Sequence, residues 1–270
     1  MARRGCGGGW RVFEPFMHEP WMVATLIALA AGAAGYFVAL RGAGFAAHAL
    51  PMAAFPGAAF AALTGISTLA GLAGFAVLGA LVLALFRRGA RMDAATALVL
   101  AGLMALGALF LSLSGAYANS VEALLFGQIF GLGAGDFWMA LALGLLVPVL
   151  LLVLSRPLTL SALSGELFAV NGGRAWVIEA AFLLILALTA ALCLPITGAL
   201  LGFSLMAGPG ATACLLCRRP GVAFAVSMGL ALCIAWGAIA GAYETGWPVG
   251  FFVGGFSAAS YGAARTIRGW

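Results

Sequence analysis

Apolar runs about 20 residues long, separated by short connections that carry arginine, constrain this chain more than any other feature. They stand at about 20–40, 46–63, 66–86, 93–114, 137–155, 175–194, 197–216, 221–242 and 248–264. A helix of roughly 20 residues crosses the hydrocarbon core of a bilayer. Inside that core only helices and closed barrels satisfy every backbone N–H and C=O. With 64% of 270 residues hydrophobic and 8% charged, a water-soluble fold could not hide the apolar surface. The expected fold class is all-α, a polytopic transmembrane helical bundle of about nine spans. A segment at 1–19, bearing Trp10, Phe13 and Phe16 among Arg11 and Glu14, reads as an N-terminal interfacial stretch. One transmembrane domain fills 20–264, and 265–270 form a tail.

Charge sets the orientation. All 13 basic residues are arginines. If the spans alternate, ten of them (Arg41, Arg87, Arg88, Arg91, Arg156, Arg174, Arg218, Arg219, Arg265 and Arg268) share one side, the cytoplasmic one. The remaining three (Arg3, Arg4 and Arg11) then lie outside, unless the first span does not cross. Arginines spread over short loops report topology and not nucleic-acid binding. Alternation also requires that 121–133 stay on the outer face as a short helix, since it is too short to span. The long inside connection, 156–174, ends one span at Arg156–Pro157. It holds SGELFAV, which suits a short helix stopped by Asn171–Gly172–Gly173. Such a helix is either a partner-docking element or an ordinary linker.

Few polar residues sit at membrane depth. His48 and Met52 stand at i and i+4, on one face of a helix a single turn apart. Imidazole and thioether are both metal ligands, and an ionisable residue inside a span marks a candidate functional position. The same two side chains also suit plain helix packing, with the methionine filling a gap. Pro51 and Pro56 imply that this helix is bent or interrupted. Gly208–Pro209–Gly210 implies a break in a later span, with Pro209 a possible hinge. Glu122, Asp136 and Glu244 fall at the outer face, where they could attract cations or simply be solvated. Glu179, one turn inside a span, is expected to snorkel to the inner interface near Arg174. Cys214 and Cys217 form a lone CxxC, read as buried packing thiols because no second pair accompanies it.

Several stretches together resemble the membrane permeases of bacterial ABC importers for zinc and manganese. They are Pro15–Phe16–Met17, FVALRGAGFAAHALPMAAFPGAAFA (37–61), the short acidic helix entry at Arg91–Thr96 and LLFGQIFGLGAGDFW (124–138). SGELFAVNGG (164–173), GALLGFSLMAGPGATA (198–213) and AYETGWPVG (242–250) complete the set, in family order. The resemblance implies a permease with two permease copies, favouring a homodimer, in the bacterial cytoplasmic membrane. It implies cytoplasmic ATPase subunits and an extracytoplasmic solute-binding protein as partners. It makes 164–173 the ATPase-coupling helix, with Glu166, Leu167, Phe168 and Gly172 at matching positions. The permease itself would hydrolyse nothing, and the chain has no GxxxxGK[ST] phosphate loop.

Family members usually carry an Asp and, four residues on, a His where this chain has His48 and Met52. That exchange of ligands moves the site toward softer metals. The expected function is ATP-driven import of a divalent transition-metal ion, zinc before manganese, with the ion as cargo and no resident cofactor. The alternatives are a metal-chelate permease of the siderophore or corrinoid type, and an intramembrane enzyme. The enzyme would need a Ser/His or paired-Asp constellation at membrane depth, which this chain lacks.

Overall fold

In a computed structural model that describes residues 18–86, 92–114, 134–163 and 175–268, the chain is helical at each expected apolar run. The elements are α1 (His18–Leu40), α2 (Gly44–Thr64), α3 (Thr68–Phe86), α4 (Met92–Ser114) and α5 (Ala134–Val153). They continue as α6 (Ser155–Leu163), α7 (Ala175–Leu216), α8 (Pro220–Thr245) and α9 (Val249–Arg268). Among the described residues five stretches are long and apolar enough to cross a membrane: α1, α2, α3, the first arm of α7, and α8. The pair α5 and α6, bent by 55°, makes a sixth if taken as one span. Ala97–Leu113 in α4 and Leu201–Leu216 in α7 are shorter apolar helices.

α1 is the hub. Ala24, Ala28, Ala30, Ala31, Ala33 and Ala34 are all fully buried, and α1 packs most extensively on α7 and α8. Helices in lipid gain little from hiding apolar surface, so they associate through close packing and interhelical hydrogen bonds. Gly35 supplies the first here: a Cβ on it would fall 1.8 Å from the Met206 carbonyl oxygen, and one on Gly210 would fall 2.1 Å from that of Gly35. Ser227 supplies the second, its buried hydroxyl donating to the Gly32 carbonyl at 2.6 Å. α2 and α3 cross in the same way, Gly57 against the backbone of Gly71.

The spacing Gly237/Gly241 on α8 has a clear use. A Cβ at either would press on the rings of Phe256 and Phe252 of α9, so the two glycines make a trough for that aromatic ridge. Gly198/Gly202, of the same spacing, does something different. Gly202 lies against Pro51 of α2, whereas Gly198 leaves the helix altogether at φ 72°, ψ 170°, a conformation essentially restricted to glycine.

Three local expectations change. First, α7 does not break at Gly208–Pro209–Gly210; its one non-helical residue is Gly198, ten positions earlier. The Thr212 hydroxyl binds the Gly208 carbonyl at 2.8 Å, and the Gly210 backbone is seated on α1, so the turn around Pro209 is held helical from outside. A straight 42-residue helix would be about 63 Å long. Instead Phe182 of the first arm meets Arg41, just past the end of α1, and Gly210 of the second meets Gly35 near that same end. The element therefore folds back at Gly198 into two antiparallel arms. Second, α2 runs uninterrupted through Pro51 and Pro56, both buried. Third, Arg156 and Pro157 do not start a loop. They lie in the first turn of α6, where proline's missing N–H costs little. The expected outer helix (121–133) and coupling segment (164–173) lie outside the described residues.

Candidate ion path and coupling region

α2 is enclosed on most of its surface, with Ala47, Ala49, Leu50, Pro51, Ala53 and Ala54 all buried. Its open strip carries Phe45 and His48, and Met52 follows half-buried on the same face. The His48 ring meets the edge of Phe203, from the second arm of α7, at 5.4 Å and 86°. The two residues singled out from sequence are thus on one stripe, and the imidazole is accessible from outside the single chain. Among the described residues no cluster of three or more His, Cys, Asp or Glu could hold a metal ion. A single chain brings only His48 and Met52 together on this stripe.

The prolines add to it. A proline cannot donate to the carbonyl four residues before it, so Pro51 frees the carbonyl of Ala47 and Pro56 that of Met52 from helical bonding. Two backbone oxygens close to His48 and Met52 are thereby left without their usual helical partner. Two cavities, of about 580 and 510 Å³, open elsewhere and are not lined by His48 or Met52.

At the other candidate positions the picture is mixed. Glu244 is exposed in the last turn of α8, which Gly246 terminates at φ 74°. Pro209 is buried inside the second arm of α7. Glu122, Glu166, Leu167, Phe168, Gly172 and the side chain of Asp136 lie outside the described residues. Cys193, Cys214, Cys217 and Cys233 are free thiols; the CxxC pair, Cys214 and Cys217, is half-buried against the core and not fully buried as expected.

Sequence reasoning missed Arg41. It is the first residue of a three-residue turn between α1 and α2, closed by Gly42 at φ 62° and by the Ala43 N–H bonding the Val38 carbonyl at 3.0 Å. From there its guanidinium donates to Glu179 Oε2 at 2.6 Å, to the Ser161 hydroxyl at 2.6 Å and to the Leu158 carbonyl at 3.0 Å. It also lies 5.2 Å from the centre of the Phe182 ring. Glu179 does not snorkel past its own helix; it reaches across to α1. Burial pushes the guanidinium below its usual pKa, yet an arginine remains charged in a protein.

Contacts gather the basic connections at one end. Arg41 meets α6 and the first turns of α7. Arg156, Pro220 and Phe224 share a cleft with Tyr36 and Phe37. Arg268 donates to the Leu216 carbonyl at 3.0 Å, closing the end of α7. Trp21, Trp236 and Trp247 mark the far end. Trp21 packs edge-on against Trp236 at 5.6 Å.

The profile of the ABC 3 transport family matches residues 14–253. The chain belongs to that family. Among curated relatives, it is 27% identical over 149 residues to the manganese import system permease protein ScaB of Streptococcus parasanguinis, covering 54% of this chain and 53% of that one. It is likewise 27% identical over 148 residues to the manganese transport system membrane protein MntC of Halalkalibacterium halodurans, covering 54% and 51%. The aligned part thus spans about half the length of the curated relatives it matches. The fold is similar over a longer stretch. A chain of PsaBC from Streptococcus pneumoniae in complex with Fab superposes with TM-score 0.83 at 19% identity, over 94% of this chain and 92% of that one. An inward-facing putative metal-chelate type ABC transporter superposes with TM-score 0.63 at 17% identity, over 93% and 89%.

Proposed function

We propose that the chain is the permease subunit of a bacterial ABC importer for a divalent transition-metal ion, in the cytoplasmic membrane. The family match across 14–253 carries this reading. Two copies of the chain would form the ion path. ATPase subunits would dock at 164–173 through Glu166, Leu167, Phe168 and Gly172, and a solute-binding protein would deliver the ion from outside near Glu122, Asp136 and Glu244. The relatives are named for manganese. His48 and Met52, in place of a carboxylate and an imidazole, favour a softer ion, zinc first. A half-site per chain suits transport, because an ion held tightly would not leave. The open position of His48 supports a path completed by the second copy.

The test is uptake into liposomes by the permease reconstituted with its ATPase and binding protein, with zinc and manganese compared. ATP-dependent zinc uptake that falls in His48→Ala and Met52→Ala supports the reading in full. Uptake unchanged in both variants removes the site and leaves the importer. An intact, ATP-hydrolysing complex that moves neither bare ion turns the assignment to a metal chelate.

A further inference from the structure

Arg41 precedes the 164–173 segment by more than a hundred residues, yet it touches both of that segment's stems. Nη1 donates to the Leu158 carbonyl and the Ser161 hydroxyl on α6, which leads into the segment. Nη2 donates to Glu179 on α7, which leads out of it. One guanidinium therefore closes a loop of 17 residues, from Ser161 to Glu179. The side chain is 8% exposed and the Glu179 side chain 26%, so solvent screens the tie only in part. Lysine could not replace it, because holding two stems at once needs the planar fork of separate N–H donors.

The tie also has a fixed anchor. Arg41 stands in the three-residue turn whose hydrogen bonds join the end of α1 to the start of α2. His48 follows about one turn into the helix that begins just after it. The shortest route from the segment's base to the candidate ligand is thus Arg41, the turn, and α2.

We propose that Arg41 is a positioning residue that closes the base of the 164–173 segment. A push on the segment then moves α1, α2 and the first arm of α7 together instead of splaying α6 from α7. The proposal rests on the reading of 164–173 as the ATPase-docking segment and adds to it a residue outside that segment.

The experiment uses the complete complex in liposomes and records ATP hydrolysis and zinc and manganese uptake on the same samples. Arg41→Ala is expected to assemble with its ATPase and hydrolyse ATP at close to the wild-type rate. Ions moved per ATP should fall roughly tenfold, the scale of losing charge-assisted hydrogen bonds. Arg41→Lys should recover only part of the ratio, since an ammonium can hold Glu179 but not both stems. Ser161→Ala leaves the ion pair intact and should give a smaller fall, on the order of threefold. An unchanged ratio in Arg41→Ala overturns the proposal. So does a proportional loss of hydrolysis and uptake with an unchanged ratio in Ser161→Ala, which would make Arg41 a structural residue only. If the chain, with Arg41 unchanged, still binds its ATPase after 164–173 is replaced by glycine and serine, the docking reading fails and this proposal with it.

Discussion

Removing Glu179 strands a guanidinium that cannot discharge. Arg41 would keep the Ser161 and Leu158 bonds but lose the Glu179 carboxylate, beside the Phe182 ring. Glu179→Ala is therefore expected to cost about 3 kcal/mol, read as a lowered denaturation midpoint of the purified permease in detergent. Glu179→Gln, which keeps an acceptor, should cost clearly less. Pro51 gives the opposite kind of prediction. Pro51→Ala returns an N–H to the Ala47 carbonyl, so the variant should be no less stable in the same measurement while its uptake rate falls. Unchanged uptake would remove backbone oxygen from the proposed path. His48 and Met52 were legible as a pair because their spacing is local. Arg41 and Glu179 were not, because 138 positions separate them and only the tertiary fold brings them together. Reading along the chain offered Glu179 the nearby Arg174, which lies outside the described residues, and did not offer Arg41.

Between helices the decisive side chain is often a missing one. A methyl group on Gly35 or Gly210 would collide with backbone, which has no rotamer in which to retreat. Gly35→Ala and Gly210→Ala should each cost at least about 1–3 kcal/mol, visible as earlier thermal aggregation in detergent. Gly229→Ala, with nothing within 4 Å of its would-be Cβ, is the matched control and should be close to neutral. Gly198→Ala tests the fold-back, since at φ 72° an alanine is strained whatever the space around it. The composition announced close helix contacts through 39 glycines, but it did not say which glycines make them. The GxxxG spacing pointed to true packing at Gly237 and Gly241 and concealed a backbone reversal at Gly198. A proline-centred motif suggested a break where tertiary contacts keep the helix intact.

At the scale of the molecule, the helical runs were legible, though five or six of them rather than nine qualify as spans among the described residues, and the interior was not. A soluble helix betrays its buried face by amphipathic periodicity, but in lipid both faces are apolar. Leu83 is 5% exposed and Leu85 74%, and no difference in residue type tells them apart. What did carry over from sequence is polarity along the membrane normal. The connections bearing Arg41, Arg156, Arg218, Arg219 and Arg268 do meet at one end. Single cysteines placed at Thr245 and Ile267 in a cysteine-free background should react with an impermeant maleimide from opposite sides, Thr245 from outside whole cells and Ile267 only after lysis. The reverse pattern would invert the orientation and remove 164–173 from reach of a cytoplasmic ATPase.

α1 owes its burial mainly to α7 and α8, more than 130 residues further along the chain. During synthesis it therefore enters the membrane long before its neighbours exist. Until they arrive, its alanine-lined surface and the Gly32 carbonyl that Ser227 will bond can face only lipid or the insertion machinery. A chain halted before α7 would consequently present an unfinished helix as its own quality-control signal, and a cell could recognise incompleteness without inspecting the missing half.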